Sequence, residues 1–299
     1  MSEDINKGQL ELGIRRSREK DRNFHLGGRS FYFFDFDDNI AFLTTPLVIF
    51  HKKTGEEIFL TSGDWAVYHS EIGQSGIYAD YEIRFDDSTG SFRYFRDHTA
   101  EELQKLGRKK QIFVDDIEKV IQEPDLHWKG PSWQCFYHAA FNQRPVSLIT
   151  ARGHAPETIK AGIREFVNKK LLPLEPNYLS LFPVSHTPTR QLLGDQSLNF
   201  STSVLKQKAI RASVEKAIEV YGYSPHHRFG MSEDDPKNIQ MIVQELARLK
   251  IDYPEMSFFM IETFDGQFVK HEISERGLST QSADHFAQLT LFDKNPHLS

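Results

Sequence analysis

Acidic side chains carry the first chemical signal in this chain. Asp35 and Asp37 stand two apart in the run Phe31-Tyr32-Phe33-Phe34-Asp35-Phe36-Asp37-Asp38-Asn39, and in an extended backbone such residues point to the same side. Two carboxylates held that close repel, so a raised pKa or a cation must relieve them. Mg2+ suits the task, because it takes hard oxygen ligands, uses only one or two carboxylates, and fills its remaining positions with water and phosphate oxygens. A later cluster, Ser232-Glu233-Asp234-Asp235, supplies Glu233 and Asp234 as candidates for the second metal acid. Asp235 precedes Pro236 and reads as an N-cap with proline at the first helical position. Asn238, in the first turn after it, could orient one of the acids or be an ordinary surface residue. On spacing alone, a solvated acidic turn remains the alternative for Asp35 and Asp37.

Three other residues could act on an anion. Thr150 ends the apolar run Val146 to Ile149, where its hydroxyl could donate to a phosphoryl oxygen or merely start the next turn. Arg152 could bind substrate phosphate or be a surface arginine. Lys206 is singled out by helical phase: the apolar stripe Ile210, Val214, Ala217 and Ile218 extends back by four residues to Lys206, while Lys208 lies roughly 200° away around the helix. Lys206 therefore points inward. A cation at the start of a helix opposes the dipole there, which calls for an acidic partner or a phosphate; a frayed turn with a snorkelling side chain is the alternative.

These residues need elements to place them. Ser30 to Phe36 is an almost unbroken aromatic run, as expected of a strand buried on both faces of a parallel sheet. Further strands are expected at Val146 to Ile149, Tyr178 to Val184, a segment ending near Met231, and Ser257 to Ile261. Helices alternate with them from about Pro156, from about 203 to Tyr221, and from about 236 to 250. That alternation is the signature of βαβ units. In such sheets ligands bind beyond the carboxyl ends of the strands, which is where the acids and Thr150 fall.

The stretch from 41 to 144 breaks the rhythm and reads as an insertion, β-rich and then helical. Hairpins are expected around Lys53-Thr54-Gly55 and, between Tyr81 to Phe85 and Phe92 to Phe95, around residues 86–90. Thr99 and Glu102 have capping-box spacing, and helices are expected near 115–123 and 131–142. The division is a polar N-terminal extension over 1–29, a core over 30–40 and 145–270, the insertion over 41–144, and a tail over 271–299. Trp65, Tyr68 and Tyr78 could line a pocket in the insertion, although aromatic residues in such segments more often pack.

Composition limits what else the protein could do. A hydrophobic share of 39% with 26% charged residues is that of a globular chain. The net charge of −6 gives the surface as a whole no electrostatic reason to hold nucleic acid. The single cysteine, Cys135, excludes an internal disulfide and fits a reducing compartment as a buried, inert thiol. With neither a signal peptide nor a membrane-spanning apolar run, a soluble cytoplasmic protein is expected. Pro225-His226-His227 suits no common zinc site, so its histidines read as structural.

Taken in chain order, the clusters resemble the four motifs of the haloacid dehalogenase-like (HAD) superfamily: Phe33-Phe34-Asp35-Phe36-Asp37, then Leu148-Ile149-Thr150, then Lys206, then Gly230-Met231-Ser232-Glu233-Asp234. The resemblance covers roughly 30–40 and 145–262. Asn39 stands where Thr or Val is commoner, and Met231 leaves the acid-pair form of the fourth motif. The resemblance implies an α/β fold, a Rossmann-like three-layer α/β/α core with a mostly parallel sheet, and an inserted cap. It implies a phosphatase acting on a small phosphorylated substrate: Asp35 attacks phosphorus, Asp37 serves as acid and then base, and Thr150 and Lys206 stabilise charge. Mg2+ would be held by Asp35, the backbone carbonyl of Asp37, and Asp234 or Glu233, with Asp235 a further possibility. A phosphotransferase or mutase of the same fold, or a non-catalytic binding protein that keeps it, are the competing expectations.

Overall fold

A computed structural model describes residues 17–278 except 87, 265, 266 and 276. The strands in chain order are β1 (Ser30–Phe34), β2 (Leu47–His51), β3 (Glu57–Leu60), β4 (Tyr81–Glu82), β5 (Pro145–Thr150), β6 (Asn177–Pro183), β7 (Arg228–Glu233), β8 (Ser257–Phe264), β9 (Gln267–Ser274) and β10 (Gly277–Leu278). The helices are α1 (Ser62–Tyr68), α2 (Ala100–Lys105), α3 (Ile112–Val120), α4 (Asp125–Trp128), α5 (Trp133–Asn142), α6 (Pro156–Asn168), α7 (Thr187–Leu192), α8 (Thr202–Tyr221) and α9 (Pro236–Asp252).

The main sheet has the order β10-β9-β8-β7-β1-β5-β6. Its strands from β8 to β6 are parallel, and β9 and β10 add antiparallel at one edge. The expected α/β class with a mostly parallel sheet is therefore observed. β1 is central, and its aromatic run explains why it can be: alternate side chains serve opposite faces. Phe31 and Phe33 join a core with α8 and α9, while Tyr32 and Phe34 join a second core with α3, α5 and α6. Both faces of β1 are thus removed from water.

The insertion holds a separate three-stranded antiparallel sheet, β3-β2-β4, around a small cluster of Leu47, Ile49, Leu60 and Ile72. Its first hairpin is as expected. The second is not: Tyr81 and Glu82 pair with β2, and Arg93–Phe95 forms a 3-10 turn. That turn brings Phe92 and Phe95 together onto the small cluster, which an extended strand with alternating faces would not do. Trp65 and Tyr78 pack against the same cluster, so packing accounts for them. Helix α1, not anticipated, starts at a capping box in which Thr61 and Asp64 satisfy each other's backbone N–H.

Two boundaries differ from expectation. The sheet continues past residue 270 through β9 and β10; residues 279–299 of the expected tail lie outside the described residues. The expected N-terminal extension is also anchored where it is described. Buried Asp21 pairs with Arg144 at 2.8 Å and accepts the backbone N–H of Ser30 at 2.9 Å. Residues 1–16 of that extension lie outside the described residues. Among the described residues no helix is long and apolar enough to cross a membrane.

Helix α3 is pressed onto α6 at Gly162, where an added Cβ would meet Phe113 at 2.5 Å and Ile117 at 2.8 Å. Replacing a mid-helix glycine by alanine ordinarily gains about 1 kcal/mol, whereas overpacking costs about 1–3 kcal/mol. Because the obstacles are buried core side chains, Gly162→Ala should destabilise by about 1 kcal/mol. A lower urea midpoint at unchanged slope would show it; a raised midpoint would mean that the helices separate freely.

Candidate functional site

Parallel pairing of β1 with β5 and β7 brings the ends of three strands to one edge. Phe34 lies level with Leu148 and Ser232, so Asp35, Thr150 and Glu233 follow within two residues. Asp35 extends the ladder by donating its N–H to the Ser232 carbonyl at 3.1 Å. The chain then turns sharply, with Asp38 in the left-handed region at φ 55° and the Phe36 carbonyl accepting from the N–H groups of Ile40 and Ala41.

A buried polar chain fixes this turn against the neighbouring strands. The Asn39 side-chain amide donates to the Thr263 hydroxyl at 2.9 Å, Thr263 donates to the Glu233 backbone carbonyl at 3.2 Å, and Ser232 donates to Asn39 Oδ1 at 3.0 Å. Ser132 hydrogen-bonds Ser232 from the insertion side. Asn39 thus finds its partners on β7 and β8, which satisfies an amide that would be costly to bury alone.

Lys206 lies where helical phase puts it, buried, with Nζ 2.6 Å from Glu233 Oε2 and 3.2 Å from Asp35 Oδ1. Burial alone would lower its pKa; Asp35 and Glu233 outweigh that and hold the ammonium above its ordinary value. Asp35 goes the other way. Burial pushes its carboxyl well above the usual range against the pull of Lys206, and the charges of Glu233, Asp234 and Asp37 add to the rise. Asp234, half-buried, is pushed up to about 8 by burial and by Glu233 and Asp38.

Carboxylate oxygens of Asp35, Glu233 and Asp234 lie within 4.8 Å of one another, so these three could hold a metal ion. The donor set fits a hard cation: all its ligands are oxygens, and Asp35 Oδ1, although near Lys206, is buried without a hydrogen bond. Glu233 is the more engaged of the acid pair, with Oε2 on Lys206 and Oε1 accepting from the N–H groups of Asp234 and Asp235. Asp37, by contrast, turns its carboxylate away from this cluster.

Its partner is Arg152, which is not on the surface and already holds a carboxylate. The guanidinium is 1% exposed and grips Asp37 with two bonds, Nε to Oδ2 at 2.8 Å and Nη2 to Oδ1 at 2.6 Å. It lies between the rings of Phe95 and Phe113, at 4.8 and 4.7 Å from their centroids. Thr150 is buried at the end of β5, its hydroxyl accepting the N–H of Arg152 at 3.4 Å. Asn238 accepts from the Ser203 hydroxyl at 3.0 Å, joining α9 to the start of α8. Asp38 reaches the insertion, where Ser62 donates to it at 3.1 Å; burial and the adjacent Asp37 push its carboxyl up to about 6.

Sequence reasoning thus found Asp35, Asp37, Thr150, Lys206, Glu233 and Asp234 at one edge, and did not single out Asp38, Thr45, which accepts from Arg152, Asp116, which accepts from Thr45, or the buried His154. Asp38 had a signal, being the third acid of its run. The other three had none. Of the peripheral groups, His227 accepts from the Arg29 N–H and its other nitrogen contacts the Gly222 carbonyl; Cys135, expected to be buried, is only half-buried at the edge of the second core, where desolvation pushes its thiol up to about 12. In comparison with known proteins, no family profile, no curated protein and no solved structure matches the chain.

His154, two residues beyond Arg152, is fully buried with neither ring nitrogen hydrogen-bonded, and its ring lies 5.4 Å from that of Phe113. Burial, helped by Arg152, His98 and His186, holds its pKa well below 6.5. The unfolded chain therefore binds a proton near pH 6.5 that the folded chain refuses. His154 leaves stability intact above that pH and reduces it as pH falls below, by up to about 1.4 kcal/mol per pH unit. Urea titrations at pH 7.5 and 5.5 should show His154→Leu losing less stability on acidification than wild type; equal losses would place the acid sensitivity elsewhere.

Proposed function

We propose that the chain is a Mg2+-dependent phosphohydrolase of the HAD-like type, cleaving a phosphate monoester through an aspartyl-phosphate on Asp35. The observation that carries this reading is the Asp35 carboxylate: buried at the end of the central strand, beside a buried lysine and two further acids, with Oδ1 lacking a hydrogen bond. A purely structural carboxylate in such a place would have its oxygens satisfied.

Asp35 attacks phosphorus, the phosphorus–oxygen bond to the alcohol breaks, and the leaving oxygen takes a proton from Asp37. Asp37 then removes a proton from the water that displaces the phosphoryl group from Asp35, which regenerates both acids. Lys206 holds the nucleophile in place and balances its charge. Thr150, at the tip of the neighbouring strand, stands to donate to a phosphoryl oxygen once substrate enters. When bound, Mg2+ held by Asp35, Asp234 and the Asp37 carbonyl supplies positive charge that keeps the Asp35 carboxylate ionised and offsets charge on the phosphoryl oxygens. Substrate choice belongs to the insertion, whose α1 meets the site at Ser62 and Asp38.

Phosphate release from a panel of phosphomonoesters, with and without Mg2+, tests the reading. Wild type should release phosphate only with the metal, and Asp35→Asn should be slower by on the order of 10³-fold or more. Release indifferent to Asp35 would sink the nucleophile assignment. Transfer to an added alcohol in preference to water would make the enzyme a phosphotransferase.

A further inference from the structure

Arg152 does not hold Asp37 unaided. Its Nη2 also donates to the Thr45 hydroxyl at 2.9 Å. A guanidinium has no acceptor, so Thr45 must accept there, and its single hydroxyl proton is left for its other neighbour, the Asp116 Oδ2. Asp116 Oδ1 is fixed in turn by the N–H of Thr44, at 3.2 Å, and by the Thr44 hydroxyl. The direction of every bond from Asp116 back to Asp37 is therefore determined. Asp116 is buried on α3, which also carries Phe113, one of the two rings that clamp the guanidinium.

A turn joining residues 44 and 45 to α3 does not need a buried carboxylate. Burying one is costly unless its charge is used, and here the nearest cation along the hydrogen-bond chain is Arg152. We infer that Asp116, acting through Thr45 and Arg152, fixes the orientation of the Asp37 carboxylate, making Asp116 and Thr45 positioning residues for proton transfer to the leaving oxygen. This rests on the role given to Asp37 above. The insertion thus supplies part of the machinery that aims the acid, in addition to meeting the site at Ser62 and Asp38.

Leaving groups separate this role from simple support of the fold. p-Nitrophenolate departs without a proton, whereas an alkoxide needs one, so a misaimed acid slows an alkyl phosphate far more than p-nitrophenyl phosphate. Thr45→Val cuts the link to Arg152 while leaving both bonds from Thr44 to Asp116; Asp116→Asn removes the charge; Thr45→Ser restores the hydroxyl. With both esters and Mg2+ present, Thr45→Val and Asp116→Asn should lose about 10- to 100-fold in kcat/KM on the alkyl ester, because kcat/KM reports the step in which the leaving group departs and not the later hydrolysis common to both esters. The loss on p-nitrophenyl phosphate should be several-fold smaller, and Thr45→Ser should recover most of the alkyl-ester rate. Equal losses on the two esters, or no loss on either, would overturn the inference while leaving an Asp35-dependent phosphatase intact. A wild-type protein that hydrolyses neither ester, or does so independently of Asp35, would overturn the reading of the site and this inference with it.

Discussion

One ammonium group in a place without water constrains the rest of this edge of the sheet. A buried Lys206 without partners would be several kcal/mol out of balance, and so would Asp35 and Glu233 without it. The three are stable only together. Their contact requires that β1 and β7 be neighbours, that both end at the same level, and that α8 present its first turn toward the sheet. The apolar stripe of α8 meets the last condition, since the residues that bury Ile210 and Val214 bring Lys206 inward on the same face.

Two cations treat two acids differently, and the difference follows from their shapes. Lys206 is a compact point charge that balances Asp35 without claiming both of its oxygens. Arg152 is a planar fork that fixes both oxygens of Asp37 at once. Under the proposed reaction this division is useful, because a nucleophile must keep an oxygen available whereas an acid must be aimed. The carboxylate of Asp35, ion-paired to Lys206 at Oδ1 without a hydrogen bond there, and the doubly bonded carboxylate of Asp37 are the structural expression of that difference.

The sequence made the strand ends and the inward lysine legible because both depend on local periodicity. An aromatic run of β1 length predicts burial on two faces, and a four-residue step along a helix predicts which lysine turns inward. Arg152 was not legible in the same way. Its partner is 115 positions upstream, and nothing in the neighbourhood of either residue says that the two will meet. The same is true of Asp116 and Thr45, whose meeting depends on how the insertion folds back, and of His154, whose burial depends on α3. The misplaced hairpin at 92–95 has a similar origin: β-prone runs on either side of turn residues 86–90 suggested paired strands, and contact with the small cluster made a turn the better way to bury Phe92 and Phe95.

The placement of β1 has a consequence for how the molecule comes into being. Both strands that flank it belong to distant parts of the chain, β5 more than a hundred residues later and β7 nearly two hundred. As the polypeptide leaves the ribosome, the aromatic strand and then Asp35 emerge before the strands and the lysine that will surround them. The small sheet of the insertion can close on itself while the central strand waits. Between the synthesis of residue 35 and that of residue 233, then, the strand richest in aromatic residues among those described lacks part of its final surroundings, and its period of greatest exposure to chaperones and to misassociation falls there.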